Sequence, residues 1–260
     1  MNFKTICFAL ATVIIASTYF IFFRKPTISQ NNQDVLVVGT VANYAPFVSI
    51  NAQGEYEGFD IDVAEKIAQK LGKKLVLKDL GSMAPLFIAL EQESIDAIIW
   101  ALSITQERLK KVTMIRYQGE DTSSYSLIFW EKIPAGINTI ANVDGMTVCV
   151  EPASSQDTVL SKYPFIIKKP TERIDDALLN IQYGKANAAF VEPAIAKKFK
   201  AKYPEIRILD VPLAQEDQVK GIGITLKKDN SSLATKIQQA VDSLQREGAI
   251  KTLEKKWNIS

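Results

Sequence analysis

The sequence contains no histidine in 260 residues. That absence removes the commonest general base near neutral pH, the Ser–His and Cys–His nucleophile pairs, and histidine-ligated metal sites. Cysteine is nearly absent too. Cys7 lies in an apolar run near the N-terminus, so the remainder holds Cys149 alone and can close no internal disulfide. Cys149 sits in the strand pattern "MTVCVE" and reads as a small core residue rather than a reactive thiol. An excess of charge is also missing: the formal net charge is +2. Lys4, Arg24 and Lys25 precede the first acid of the chain, and without them the balance turns slightly acidic. The other lysines are scattered among acids, which leaves no basic face to neutralise phosphates, and no nucleic-acid partner is expected.

What is present is apolar, at 47% of the chain, enough for a substantial core and two ordinary domains. Thr5 to Phe23 runs without a charge behind the short positive start "MNFK", and Arg24, Lys25 and Pro26 end it. Residues 1–25 therefore read as an export signal that is also long enough to anchor in a bilayer. Ile15-Ala16-Ser17 is a poor cleavage site, yet removal is the favoured expectation. Residues 26–34, "PTISQNNQD", read as a polar linker.

From Val35 onward strands alternate with helices. "VLVVGTV", "KLVLKDL" and "IDAIIWA" have strand character; "IDVAEKIAQKLG" and "MAPLFIALEQE" have helical spacing, and "TQERLKK" opens a third helix. After the strand "SYSLIFW" and the irregular "EKIPAGINTI", a second βα series runs from "MTVCVE" to "RILDVP". "GIGITLKK" and two amphipathic tail helices follow, with no strand partners of their own. They are expected to complete the first series. This predicts an α/β fold of two lobes, each built on a mixed, mainly parallel sheet flanked by helices. Lobe 1 is expected to take residues 35–122 and 217–260 and lobe 2 residues 123–216, with two chain crossings near 120–126 and 212–220. Ligands of open α/β sheets bind at the carboxyl ends of the strands, so the cleft between the lobes is the expected site.

Candidate site residues cluster at such strand ends. In "IDAIIWALSITQERL", Thr105 can cap a helix and Arg108 can be an ordinary solvated residue. Its planar fork also suits a carboxylate, and Ser103 lies on a loop whose free N–H groups favour an anion. Trp100 and Ala101 end the strand that delivers them. Ser154 and Ser155 in "EPASSQ" can cap a helix or donate to a ligand, and Glu192 in "FVEP" can simply favour a helix start.

"GTVANYAPFVSINAQGEYEGFDIDVAEKIAQKLG" and "SIDAIIWALSITQER" resemble two long motifs of the family 3 periplasmic solute-binding proteins of amino-acid ABC transporters. "VDGMTVCVEPASSQ", "GKANAAFVEP" and "KGIGITLKK" follow in the family's order, so the resemblance covers residues 35–260. It implies a type II periplasmic binding protein fold that closes on a free amino acid by hinge motion. By that resemblance Arg108 and Ser103 hold the ligand α-carboxylate, with Ser155 (usually Thr in relatives) and Ser154 beside them. Glu192, where relatives commonly have Asp, takes the ammonium. Tyr44 matches a stacking aromatic, and Trp100 stands where relatives often carry a small hydroxyl residue. Two aromatic faces across a slot suit a planar guanidinium.

Glu151 decides the expected ligand. Its position is often apolar in relatives, and a carboxylate there calls for a cationic side chain. Val41 departs from the acid that basic-amino-acid binders often have, so Glu151 must substitute for it, with Asn43, Glu55 or Gln218 as candidate helpers. The expectation is a periplasmic, monomeric receptor for L-arginine first, then lysine or ornithine, that delivers its ligand to an inner-membrane ABC permease. No catalytic residue, cofactor or metal is expected. The alternative is a periplasmic dehydratase-like enzyme on the same fold, with Glu151 and Glu192 as acid and base. A sensor lobe of a signalling protein is a third reading, for which no output domain follows.

Overall fold

A computed structural model of the chain describes residues 35–259; residues 1–25 and 26–34, expected to be an export signal and a linker, and Ser260 lie outside the described residues. The first series comprises β1 (Val35–Thr40), the short β2 (Ser49–Ile50) and β3 (Tyr56–Glu57), α1 (Phe59–Lys70), β4 (Lys74–Asp79), α2 (Met83–Glu91), β5 (Ala97–Ile98), α3 (Gln106–Lys111) and β6 (Val112–Thr122). The second comprises β7 (Ser124–Trp130), β8 (Thr147–Val150), α4 (Ser155–Leu160), β9 (Ile167–Pro170), α5 (Ile174–Gln182), β10 (Ala188–Val191), α6 (Pro193–Lys202) and β11 (Ile206–Pro212). β12 (Val219–Lys227), α7 (Ser231–Arg246) and α8 (Ala249–Trp257) end the chain.

One sheet has the order β4-β1-β5-β12-β6 and the other β11-β7-β10-β8-β9. In the first, every strand but β12 runs the same way; in the second, every strand but β7 does. The sheets are mixed and mainly parallel, as the βα alternation predicts, and the tail strand β12 joins the first one. Each sheet is covered on both faces because alternate residues point to opposite sides. Leu36, Val38, Ala97 and Ile99 pack with Phe59, Val63 and Ile67 of α1 and with Ile237, Val241 and Leu244 of α7. Ile98 and Trp100 point the other way, toward Met83, Leu86 and Leu90 of α2. In the second sheet Cys149 is fully buried against α5 and α6, a core residue as its strand context indicates.

Three elements differ from the sequence expectation. β6 is an 11-residue strand that hydrophobic patterning does not reveal, because its second half, "QGEDT", is polar. It is held by pairing along nearly the whole of β12 instead. β5 is only two residues long, although "IDAIIWA" reads as a longer strand. Asp96 accepts the Val37 N–H through its side chain, and Ala101 turns to φ 45°, so the ladder is short at both ends. "KLVLKDL" reads as a strand with alternating faces, but β4 is an edge strand with Leu75, Val76 and Leu77 all half-buried.

The lobes are joined by two extended crossings that run side by side. Ser123 alone separates β6 from β7, and its carbonyl accepts the Leu213 N–H as the chain leaves β11. Thr122 pairs with Val219 where the chain re-enters the first sheet, and Ser124 with Pro212. Beside this hinge, Gly221 sits at φ 74° in a bulge, where an added Cβ would lie 2.7 Å from the Gln118 carbonyl oxygen. The bulge turns the strand edge toward residues 102–104. The Gly221 carbonyl accepts the Ile104 N–H, and Gly223 N–H donates to the Leu102 carbonyl. The loop carrying Ser103 is thus anchored to the strand that crosses the hinge.

Candidate functional site

Four loops converge between the lobes, each leaving the carboxyl end of a parallel strand. The loop after β1 brings Tyr44, the one after β5 brings Trp100 to Ser103, Glu151 follows β8 and Glu192 follows β10. Arg108 comes from α3, whose N-cap Thr105 accepts the Arg108 backbone N–H through its hydroxyl at 3.2 Å. One cavity, about 780 Å³ with its open mouth included, is lined by the nine residues to which the sequence reading gives ligand contacts. Tyr44, Trp100, Ala101, Ser103, Arg108, Glu151, Ser154, Ser155 and Glu192 are each part of that wall.

Three hydrogen bonds cross the cleft and hold it closed. Tyr44 Oη donates to Glu192 Oε2 at 2.9 Å, and Ser103 Oγ donates to Glu192 Oε1 at 3.2 Å. Arg108 Nη2 donates to the Ala153 carbonyl at 3.2 Å. The same guanidinium donates to the Ser103 carbonyl at 2.8 Å and touches Met83 Sδ at 3.3 Å, with its carbon 5.7 Å from the Phe87 ring centre. Each terminal nitrogen carries two hydrogens, so the fork is fixed in direction and still has protons to give. Burial pulls the Arg108 pKa down, opposed by Tyr125, Glu192 and Glu151. Burial and the adjacent Glu192 carboxylate hold the Tyr44 phenol well above its ordinary pKa, so it remains a donor.

On the second lobe Ser154 caps α4 by accepting the Asp157 N–H at 3.0 Å, and Ser155 is the first helical residue. The two serines therefore have different jobs, which the sequence leaves open. Ser155 is 6% exposed, and its Oγ accepts from Tyr125 Oη at 2.6 Å. Its own proton goes to Gln156 Oε1 at 3.3 Å, a long contact that a ligand carboxylate would replace. Tyr125→Phe removes the group that orients this hydroxyl. It is expected to weaken carboxylate binding by about 0.5–1.5 kcal/mol, read by calorimetry beside the unaltered chain.

Glu151 stands on the second lobe, across the cavity from the first-lobe rings. Its pKa rises to about 7, first through burial and then through repulsion from Glu192, with Arg108 opposing. The aromatic slot differs from the expectation. Tyr44 and Trp100 meet edge to face, with centres 6.1 Å apart and planes at 63°, and Phe47 stacks on Tyr44 at 5.3 Å. Trp100 is held in this pose because it shares the face of β5 that packs on α2, so the rings form a corner rather than two parallel walls. Val41 is buried in the core. Glu151, suggested as its substitute, lines the cavity, and of the three candidate helpers only Asn43 does. Glu55 is exposed and accepts from the Asn51 side chain, and Gln218 is not part of the wall.

The sequence reading missed Met83, Gln156 and Thr171, which also line the cavity. Met83 begins a helix that patterning assigns to the core, and nothing local marks it as a site residue. Among the described residues no group of His, Cys, Asp or Glu could hold a metal ion, and no helix is long and apolar enough to cross a membrane.

A half-buried arginine, two half-buried carboxylates and an aromatic corner inside a hinged cleft can hold a small polar molecule, and known proteins with this architecture do so. A probable ABC transporter arginine-binding protein, ArtJ, of Chlamydia trachomatis serovar D is 33% identical over 233 residues, covering 89% of this chain and 88% of the relative. A histidine-binding periplasmic protein of Salmonella typhimurium is 27% identical over 229 residues, covering 85% and 86%. The solved structure of an ancestral arginine-binding protein bound to arginine superposes with a TM-score of 0.72 at 26% identity, covering 86% of this chain and 97% of that one. The sequence model of the bacterial extracellular solute-binding proteins, family 3, matches residues 36–260. With a matching fold and a family match over nearly the whole described chain, this protein belongs to the bacterial extracellular solute-binding proteins, family 3.

Proposed function

We propose that the protein is an exported receptor for a free basic amino acid, L-arginine first, with lysine and ornithine next. The observation that carries this reading is the charge count of the cavity. Arg108 can meet an α-carboxylate and Glu192 an α-ammonium, which accounts for a neutral zwitterion. Glu151 is then a further partly buried acid, and the exposed Glu172 of the same wall adds another, so the acids outnumber the one arginine. A carboxylate in that position is costly unless paired, and a ligand with a positive side chain pairs it. Arginine is favoured over lysine because its cation is planar and weakly hydrated, and can lie in the corner made by Tyr44 and Trp100. The ligand would lie with its carboxylate at Arg108, Ser103 and Ser155, near the capping Ser154, and its backbone beside Ala101.

In this reading lobe 1 is residues 35–122 and 217–260 and lobe 2 is residues 123–216, closing as a monomer about the paired crossings. The closed form would dock on an inner-membrane ABC permease, and residues 1–25 would direct export. The protein would perform no covalent chemistry: Glu151 and Glu192 act as counter-ions of the ligand rather than as acid and base. Arginine-binding proteins among the relatives support the assignment. Isothermal calorimetry with the twenty amino acids and ornithine tests it. Heat from arginine, with weaker heat from lysine and ornithine and none from acidic side chains, is the expected result; a neutral amino acid binding more tightly than arginine overturns it.

A further inference from the structure

Asp60 has no part in the ligand contacts described above, yet it is completely buried. It lies in the first turn of α1, where an acid commonly faces the helix N-terminus. Its side chain does something else. Oδ2 accepts the backbone N–H of Ala101 at 2.6 Å, and Oδ1 accepts from Tyr117 Oη on β6 at 2.6 Å. Both oxygens are thereby committed, and the carboxylate cannot rotate without losing one partner.

Ala101 is the residue that such an anchor would need to hold. Its φ of 45° is left-handed, a conformation that residues with a Cβ disfavour. No glycine relieves the strain. Trp100 precedes it with its ring in the cavity corner, and Ser103 follows two residues later, with its hydroxyl on Glu192 and its carbonyl under Arg108. If Ala101 relaxed to an ordinary backbone, the direction of the chain between Trp100 and Ser103 would change, and both would leave the cavity wall. Downstream the loop is fixed by the Leu102 and Ile104 hydrogen bonds to β12. Upstream the Ile99 N–H still reaches the Gly39 carbonyl at 3.2 Å, and at Ala101 itself the side chain of Asp60 is what grips the backbone.

We propose that Asp60 is a positioning residue of the ligand site: through the Ala101 N–H it holds the left-handed turn that aims Trp100 and Ser103 into the cleft. Tyr117 keeps the carboxylate aligned for that task. Asp60 does not line the cavity; it acts from behind the wall.

The test rests on the arginine reading for its ligand, so it carries a second readout that needs no ligand. In a chain bearing Trp130→Phe and Trp257→Phe, Trp100 is the sole tryptophan and its emission reports the loop directly. Asp60→Ala removes both acceptors. It is expected to shift the Trp100 emission to longer wavelength and to weaken L-arginine binding about tenfold, the scale of the left-handed strain it no longer offsets. Both effects are expected to shrink when Asp60→Ala is combined with Ala101→Gly, because glycine adopts the left-handed turn freely. An unchanged emission, or the same losses with and without the Ala101→Gly substitution, overturns the proposal, even if the melting temperature falls. If Asp60→Ala does not fold, Tyr117→Phe carries the same comparison, with a smaller emission shift expected and its absence counting against the proposal. A parent chain that binds no arginine counts against the ligand reading alone, since the emission comparison still decides the role of Asp60.

Discussion

Arg108→Ala is expected to lower arginine affinity by about 2–5 kcal/mol, the cost of removing one partner of a desolvated, hydrogen-bonded charge pair. The expectation follows from how the guanidinium is held. Its two terminal nitrogens donate to the Ser103 carbonyl on one lobe and the Ala153 carbonyl on the other, so one side chain both receives the ligand and ties the cleft shut. The alanine variant loses the ligand's carboxylate contact and a cross-cleft hydrogen bond together. Arg108→Lys separates the contributions of charge and geometry. A lysine keeps the cation but has no planar fork to reach both carbonyls and a carboxylate, so most of the affinity is expected to stay lost. The thermal stability of the ligand-free protein should change little by comparison, because burial already disfavours the charged guanidinium. Calorimetry of the three proteins measures this, and an alanine variant within threefold of the parent would remove Arg108 from the site.

Glu151→Gln is expected to cost about 1.5–3 kcal/mol in arginine affinity, the range for a hydrogen bond to a charged group. The pH dependence is the sharper signature. In the free protein the Glu151 pKa is about 7, raised from 4.5 by burial and by Glu192. A cationic ligand stabilises the ionised form and lowers that pKa, so binding below pH 7 releases a proton. Affinity should therefore rise with pH up to about 7 and level off above it, with a slope approaching about tenfold per pH unit on the acid side. For the free protein the direction is opposite. A carboxyl whose folded pKa lies above its unfolded value binds more protons when folded, so its contribution to stability declines as pH rises between about 4.5 and 7. Asp60, raised to about 7 by burial, contributes to stability in the same sense, and Glu151→Gln should remove only the Glu151 share. Calorimetry in buffers of different ionisation enthalpy counts the released proton directly. A flat affinity profile across the approach to neutral pH, or an affinity that falls as pH rises, would place Glu151 away from the ligand's cation.

Much of the fold is legible in the sequence because it depends on local periodicity. α1 shows its buried stripe of Ile61, Ala64, Ile67 and Ala68, with Gly72 in the left-handed position just beyond its end. The buried strands β7, β8 and β10 are short apolar runs between turn residues. β6 escaped because what holds it is a ladder to β12, far later in the chain, and its own side chains carry little pattern. The short β5 escaped for a related reason: an Asp96 side chain and a strained Ala101, neither visible as periodicity, end it early.

The candidate site was legible as chemistry but not as geometry. The resemblance to the family singles out Arg108, Glu151, Glu192 and the serines, since residue type alone also allows them to cap a helix or face solvent. Their division of labour depends on contacts from elsewhere in the chain. Tyr125, 30 residues before Ser155, leaves that serine free to donate to a ligand while Ser154 caps the helix. Phe47 and the packing of Trp100 on α2 turn the expected slot into a corner.

Composition and near-neighbour spacing were enough to read the two βα series and the absence of histidine chemistry, while the resemblance to the family is what singles out Glu151 as an acid that asks for a cationic ligand. How the site residues are arranged came from the folded chain. Folding joined Tyr44 and Ser103 of one lobe to Glu192 of the other, set Arg108 across the cleft, and placed Asp60 behind Ala101. Those contacts join residues 41 to 148 positions apart, and no local pattern encodes them. They exist because two sheets of matching strand order meet with their carboxyl ends facing one cleft.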